Sequence, residues 1–228
     1  YVPKLTRELM ADAVVVFWSK RLTAKASRAI TDSGLPVVWM NDRRETNCVY
    51  PDDYGAAFAA TRRLTELGHR HIGFVCMSPD RHYSVRDRRR GYEAALAEAG
   101  AGPPDRPEGI QVDGPEPPCR VDILRRWVRG APYLSALLCY SNHETQAVLS
   151  AAADVGRSIP DDLSLIQFSG SEMAQYVAGI DTVELPWLKV GKEAVEMACS
   201  LVGSSGPLPD CPVECAYREL GSTAEHLS

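Results

Sequence analysis

The sequence predicts an α/β protein in which parallel sheet is covered by helices, and three observations carry that reading. Short apolar runs alternate with segments of helical period along most of the chain. The runs lack strict polar alternation, so both faces of the strands are expected to be buried. The helical segments carry their own start and stop signals. With 228 residues, 45% of them hydrophobic, there is enough chain for two lobes with separate cores.

The elements follow in order. The run Ala13 to Trp18 (AVVVFW) leads into a helix over Arg21 to Gly34, and the run Pro36 to Met40 (PVVWM) follows. A helix over Asp52 to Gly68 starts with acidic groups and ends in Gly68, His69 and Arg70, which suit the two poles of a helix dipole. After the run from His71 (HIGFVC), a helix over Val85 to Gly100 places Val85, Arg88, Tyr92, Ala95, Leu96 and Ala99 on one face. A Pro/Gly-rich stretch, Ala101 to Pro118, surrounds one short candidate strand, Gly109 to Val112. Then come a helix over Val121 to Gly130 and the run Ala136 to Tyr140. The capping-box spacing of Ser141 and Glu144 opens a helix over His143 to Gly156. The run Leu163 to Phe168, a helix over Leu188 to Val202 and a terminal segment Val213 to Arg218 complete the set.

Charge and composition exclude several functions. The formal net charge is -5, so direct binding of nucleic acid or an anionic membrane by these residues is not expected. Seven cysteines, with Cys76 and Cys139 inside apolar runs, fit a reducing cytoplasm, and no apolar run approaches the ~20 residues needed to span a bilayer. No enzyme is expected: the Gly-x-Ser-x-Gly elbow, the Gly-x-Gly-x-x-Gly loop and the Gly-Lys-Ser/Thr phosphate cradle are all missing from the sequence. The five histidines lack two-histidine helical spacing, and Cys211 and Cys215 have no second pair, so neither metal nor cofactor is expected.

Asp52 to Ile72, DDYGAAFAATRRLTELGHRHI, resembles the segment of LacI/GalR transcription regulators in which an aspartate precedes an Ala-Thr helix ending in Leu-Gly-His-Arg. Arg88, Gly91, Tyr92, Ala95 and Leu96 are similar to the family's next helix. Ser141-Asn142 stands where the family has an Asn-Asp pair, and Ile159 to Ile166 resembles its Ile-Pro-x-Asp-Leu-Ser run. Pro186 to Ala194 and Tyr217 to Ser222 resemble its last helix and strand. The resemblance implies a type I periplasmic-binding-protein-like fold: two doubly wound Rossmann-like lobes with a small-molecule effector in the cleft between them. It places residues 1–79 in the N-terminal lobe and 80–183 in the C-terminal lobe. Residues 184–212 return to the first lobe, and 213–228 supply the terminal strand and tail of the second. It also implies a homodimer acting on operator DNA through a helix-turn-helix. The sequence starts in what resembles the helix before the family's third strand, so the first lobe is expected to be N-terminally truncated and the DNA reader to lie outside it. An extracytoplasmic solute-binding protein of a transporter is the alternative with the same fold.

Ligands of open α/β sheets sit beyond the carboxyl ends of strands, which singles out Phe17, Trp18, Asn41, Arg86, Arg88, Asn142 and Ser169, and the resemblance adds Leu185. Arg88 is a charge on the apolar face of a first turn. It either points into the cleft, where its fork of donors holds hydroxyls or a carboxylate, or serves as a structural ion-pair partner. Asn142 is read as a helix cap, a ligand contact or both, and Trp18 as a stacking platform or a packing aromatic. Arg86 belongs to a solvated basic face but also resembles a second family arginine near the pocket. Asn41 and Ser169 stand where the resemblance implies aspartates, and Leu185 where it implies a glutamine. Those three departures suggest a less hydroxylated, more acidic or atypical effector.

Overall fold

The computed structural model describes residues 11–17, 22–77, 82–101, 109–111, 117–170 and 179–226. In chain order the elements are β1 (Val14–Phe17), α1 (Ala24–Thr31), β2 (Val37–Met40), β3 (Cys48–Pro51), α2 (Asp53–Glu66), β4 (Ile72–Cys76), α3 (Tyr83–Glu98) and β5 (Gly109–Gln111). There follow α4 (Pro117–Gly130), β6 (Ala136–Cys139), α5 (Asn142–Asp154), β7 (Ser164–Gly170), β8 (Asp181–Leu185), α6 (Trp187–Val202), β9 (Cys211–Val213) and β10 (Ala216–Arg218). They form two compact units. One comprises Tyr1–Asp52, Arg81–Tyr83 and Pro186–Glu214; the other comprises Asp53–Asp80, Ser84–Leu185 and Cys215–Ser228.

The first unit holds a four-stranded parallel sheet in the order β1-β2-β3-β9. Successive residues of β2 and β3 serve opposite faces. Val38 and Val49 pack with Val190, Ala194, Ala198 and Leu201 of α6, whereas Val37, Trp39, Cys48 and Tyr50 pack with Ile30 of α1. The spacing of four, four and three along α6 is what lays one helical stripe on a sheet. Thr23 caps α1 by accepting from the Ala26 amide at 3.2 Å.

The second unit holds a six-stranded sheet in the order β10-β8-β7-β6-β4-β5, parallel except where β10 runs antiparallel to β8. Its two faces carry separate cores. Ile72, Phe74, Leu138, Ile166 and Phe168 pack with α2 and α3 through Ala57, Leu64, Tyr92 and Leu96, while Val75, Leu137 and Leu165 pack with Leu124, Val148 and Ala152 on the other side. A Cβ on Gly91 would collide with the carbonyl of Tyr54 and stand 2.9 Å from the amide of Phe58, so glycine lets α3 approach the backbone of α2.

The chain end is fastened to the amino-terminal rim of this sheet. Asp181 accepts from Tyr217 Oη, Thr223 Oγ1 and the amides of Leu220, Gly221 and Ser222. His69 bonds Ser135 Oγ through Nδ1 at 2.9 Å and the Ala224 carbonyl through Nε2 at 3.1 Å, and its ring stacks on His226. Burial pushes the His69 pKa down to about 4.

Several boundaries differ from expectation. The first lobe was expected to run to residue 79, but the chain passes to the second unit at residue 53, because β4 pairs with β5 and β6 and α2 packs into their core. The return to the first unit spans 186–214 in place of 184–212. The terminal segment is two strands, β9 in one sheet and β10 in the other. The strands β3 and β8 are additional: CVYP ends in proline and DTVEL carries two acids, which hid both from a search for apolar runs. The capping role weighed for Asn142 falls to Ser141, whose Oγ accepts from the His143 amide at 3.2 Å.

Candidate functional site

At the carboxyl ends of β4, β6 and β7, a set of polar side chains gathers in the second unit around one guanidinium. Arg88 sits in the second turn of α3, on the face that also buries Val85, Tyr92, Ala95 and Leu96, so helical period carries it inward. Its Nε donates to Asp53 Oδ1 at 2.7 Å and its Nη1 to the Tyr140 carbonyl at 2.5 Å. The guanidinium lies over the rings of Phe168 at 4.0 Å and Tyr140 at 4.5 Å. Arg88 is 5% exposed and Asp53 2%. Burial works against the charge of Arg88, and Asp53, with smaller help from Tyr140 and Cys215, offsets it and raises the arginine pKa above its ordinary value.

Neutral polar groups stand at the same strand ends. Ser84 Oγ and Tyr140 Oη are 2.8 Å apart. Ser141 and Asn142 open α5, and Ser169 near the end of β7 is buried, its hydroxyl donating to the Gly170 carbonyl. Glu144, 2% exposed, accepts from the Met77 amide at 2.9 Å and from the Ser141 hydroxyl, which ties the tip of β4 to the start of α5. The arrangement offers hydroxyls, one amide and a charge-compensated guanidinium. That set suits recognition by hydrogen bonding rather than bond-making chemistry.

The residues singled out from the sequence are distributed unequally. Arg88, Asn142 and Ser169 are buried at these strand ends, and Arg88 has the ion-pair partner that one of its two readings supplies. Leu185, half-buried, packs against the core of the same unit at the end of β8. Arg86 points to solvent, its side chain 63% exposed and its Nε 3.6 Å from Asp87, as one of its readings has it. Phe17 and Asn41 belong to the first unit. Phe17 is exposed and meets Trp187 edge to face at 6.1 Å. Asn41 takes a left-handed backbone (φ 59), which asparagine tolerates, and its side chain accepts from Tyr83 Oη at 3.2 Å while its carbonyl meets His82 Nε2 at 3.1 Å. Trp18 lies outside the described residues.

Sequence reasoning missed Asp53, Tyr140, Ser84 and Glu144. Asp53 had a signal, being the second acid of an acidic helix start, but its partner stands thirty-five positions away and only the tertiary fold joins them. Among the described residues no cluster of His, Cys, Asp and Glu is arranged to hold a metal, and no helix is long and apolar enough to cross a membrane.

Comparison with known proteins gives a consistent picture. Residues 61–219 match the family of periplasmic binding protein-like domains. The chain is 29% identical over 167 residues to the HTH-type transcriptional regulator GalR of Escherichia coli (strain K12), covering 73% of this chain and 48% of that protein. It is 25% identical over 198 residues to the HTH-type transcriptional repressor PurR of Aliivibrio salmonicida (strain LFI1238), covering 85% and 59%. The chain thus spans about half the length of the curated relatives it matches. Its fold is similar to that of a LacI family transcriptional regulator from Enterococcus faecium solved with bound ribose: the TM-score is 0.80 at 18% identity, over 100% of this chain and 85% of the other. A LacI family regulator from Mycobacterium smegmatis gives 0.75 at 24% identity, over 98% and 82%.

Proposed function

The chain belongs to the family of periplasmic binding protein-like domains, and from that premise we propose that it is the effector-sensing part of a LacI/GalR-type transcription regulator. Its relatives by sequence are regulators by name, which favours this reading over a transporter's solute-binding protein. The structural observation that supports it is the buried Arg88, held by Asp53 and the Tyr140 carbonyl among the hydroxyls of Ser84, Tyr140, Ser141 and Ser169 at the strand ends. Such preorganised donors bind a small molecule without first being ordered. The effector acts by favouring one conformation of the sensor over another, and its differential affinity for the two sets the size of the response. Transmission to operator DNA runs through a helix-turn-helix of the kind the relatives are named for, and the working unit is a symmetric dimer in the cytoplasm.

A thermal-shift screen of sugars and related metabolites tests the sensing role. A molecule that binds only the folded state stabilises it by about 2.7 kcal/mol at a hundred times its Kd, so the cognate effector raises the melting midpoint of this chain and fails to do so in Arg88→Ala. A rise that survives in Arg88→Ala would place the effector elsewhere.

A further inference from the structure

We infer that Asp53 sets the charge class of the effector: by compensating Arg88 it makes the site accept uncharged, hydroxyl-bearing molecules and exclude anionic ones. The inference rests on the proposed sensing role of this cluster and adds a residue that no motif marks.

Three features of the second unit carry it. The first is the edge of the guanidinium that Asp53 takes. Arginine grips carboxylate or phosphate by presenting parallel N–H groups to two oxygens, and here Nε is given to Asp53 Oδ1 and Nη1 to the Tyr140 carbonyl. An anion seeking the Nε edge would have to displace a carboxylate already 2.7 Å away.

The second is the local sum of charge. Arg88 and Asp53 cancel, and Glu144, the buried acid at the start of α5, is held by the Met77 amide and the Ser141 hydroxyl and adds no positive charge. Of the further arginines on α3, Arg86 and Arg90 have side chains more than half exposed and pair with Asp87, and Arg89 lies over the Phe74 ring at 5.9 Å.

The third is what remains to bind with. The neighbouring groups are hydroxyls and an amide, from Ser84, Tyr140, Ser141, Ser169 and Asn142. The second oxygen of Asp53 is buried and has no donor among the described residues. A ligand hydroxyl brings the hydrogen that this oxygen accepts, and a bare anionic oxygen brings none and is repelled. The more acidic effector suggested by Asn41, Ser169 and Leu185 therefore runs against the electrostatics of the site.

The test is titration calorimetry of the folded chain with inorganic phosphate, on the wild type, Asp53→Asn, Asp53→Glu and the double variant Asp53→Asn/Arg88→Gln. Asp53→Asn is expected to bind phosphate roughly tenfold or more tightly than the wild type, because a unit negative charge beside the anion is gone. Asp53→Glu keeps the wild-type exclusion, and the double variant loses the gain. Equal phosphate affinity in the wild type and Asp53→Asn, or a gain that survives removal of Arg88, overturns the inference. Should Asp53→Asn fail to fold, the wild type decides: equal melting midpoints in phosphate and in chloride of the same ionic strength support exclusion, and a saturable rise in phosphate alone refutes it. Failure here leaves the metabolite screen in Arg88→Ala untouched, so the two readings fall separately.

Discussion

The carbonyl oxygen of Tyr54 occupies the space where a side chain on Gly91 would begin. Helices α2 and α3 meet there backbone to backbone, and that approach sets how far Arg88 and Asp53 are from each other. Gly91→Ala forces the helices apart. A destabilisation of about 1–3 kcal/mol is expected from overpacking, measured as a lower urea midpoint with the slope unchanged.

Arg88 and Asp53 stabilise the fold only as a pair. Removing one partner leaves the other charge buried and uncompensated, so Arg88→Ala is expected to cost about 3–5 kcal/mol. The double variant Arg88→Ala/Asp53→Ala restores part of that loss, and a double-mutant cycle reads the difference. Additive losses would mean that the two side chains act independently.

Acid weakens the fold through His69. Its folded pKa of about 4 lies below the ordinary 6.5, so between those values the unfolded chain binds the extra proton and stability falls as pH falls. Neutral imidazole serves both partners by donating from Nε2 to the Ala224 carbonyl and accepting at Nδ1 from the Ser135 hydroxyl. Urea midpoints from pH 7 to pH 4 should drop more steeply in the wild type than in His69→Gln.

Asp181 responds in a lower window. Burial raises its pKa, but the hydrogen bonds from Thr223, Tyr217, Leu220 and Ser222 outweigh burial and hold the value below that of an ordinary aspartate. Its contribution is present above the ordinary aspartate range and is lost as pH falls through the depressed folded value. Asp181→Asn turns one acceptor into a donor facing donors. A loss of about 1–3 kcal/mol is expected, with faster hydrogen exchange at the amides of residues 220–222.

The sequence showed the layered α/β class because apolar runs and helical stripes are local signals. It showed the inward face of α3 for the same reason: Val85, Arg88, Tyr92, Ala95 and Leu96 are all buried. It hid β3 and β8, whose proline and acids answer to neighbours distant in the chain, and it set the first boundary twenty-seven residues late by ending the lobe after β4 instead of before α2. The partners of Asn41 could not be read from the sequence, since Tyr83 and His82 stand some forty positions on. The partnership of Arg88 was legible only as an open choice, because pairing with Asp53 depends on two helices meeting at Gly91.

Residues 217–226 stitch together the starts of β4, β6, β7 and β8 through His69, Ser135, Ser164 and Asp181, while Arg88 and Asp53 stand at the opposite ends of β4, β6 and β7. Cohesion and the proposed selectivity are thereby housed at different poles of one sheet. Under that proposal a lineage can retune what it senses by exchanging residues at one pole while the clasp at the other keeps the scaffold intact.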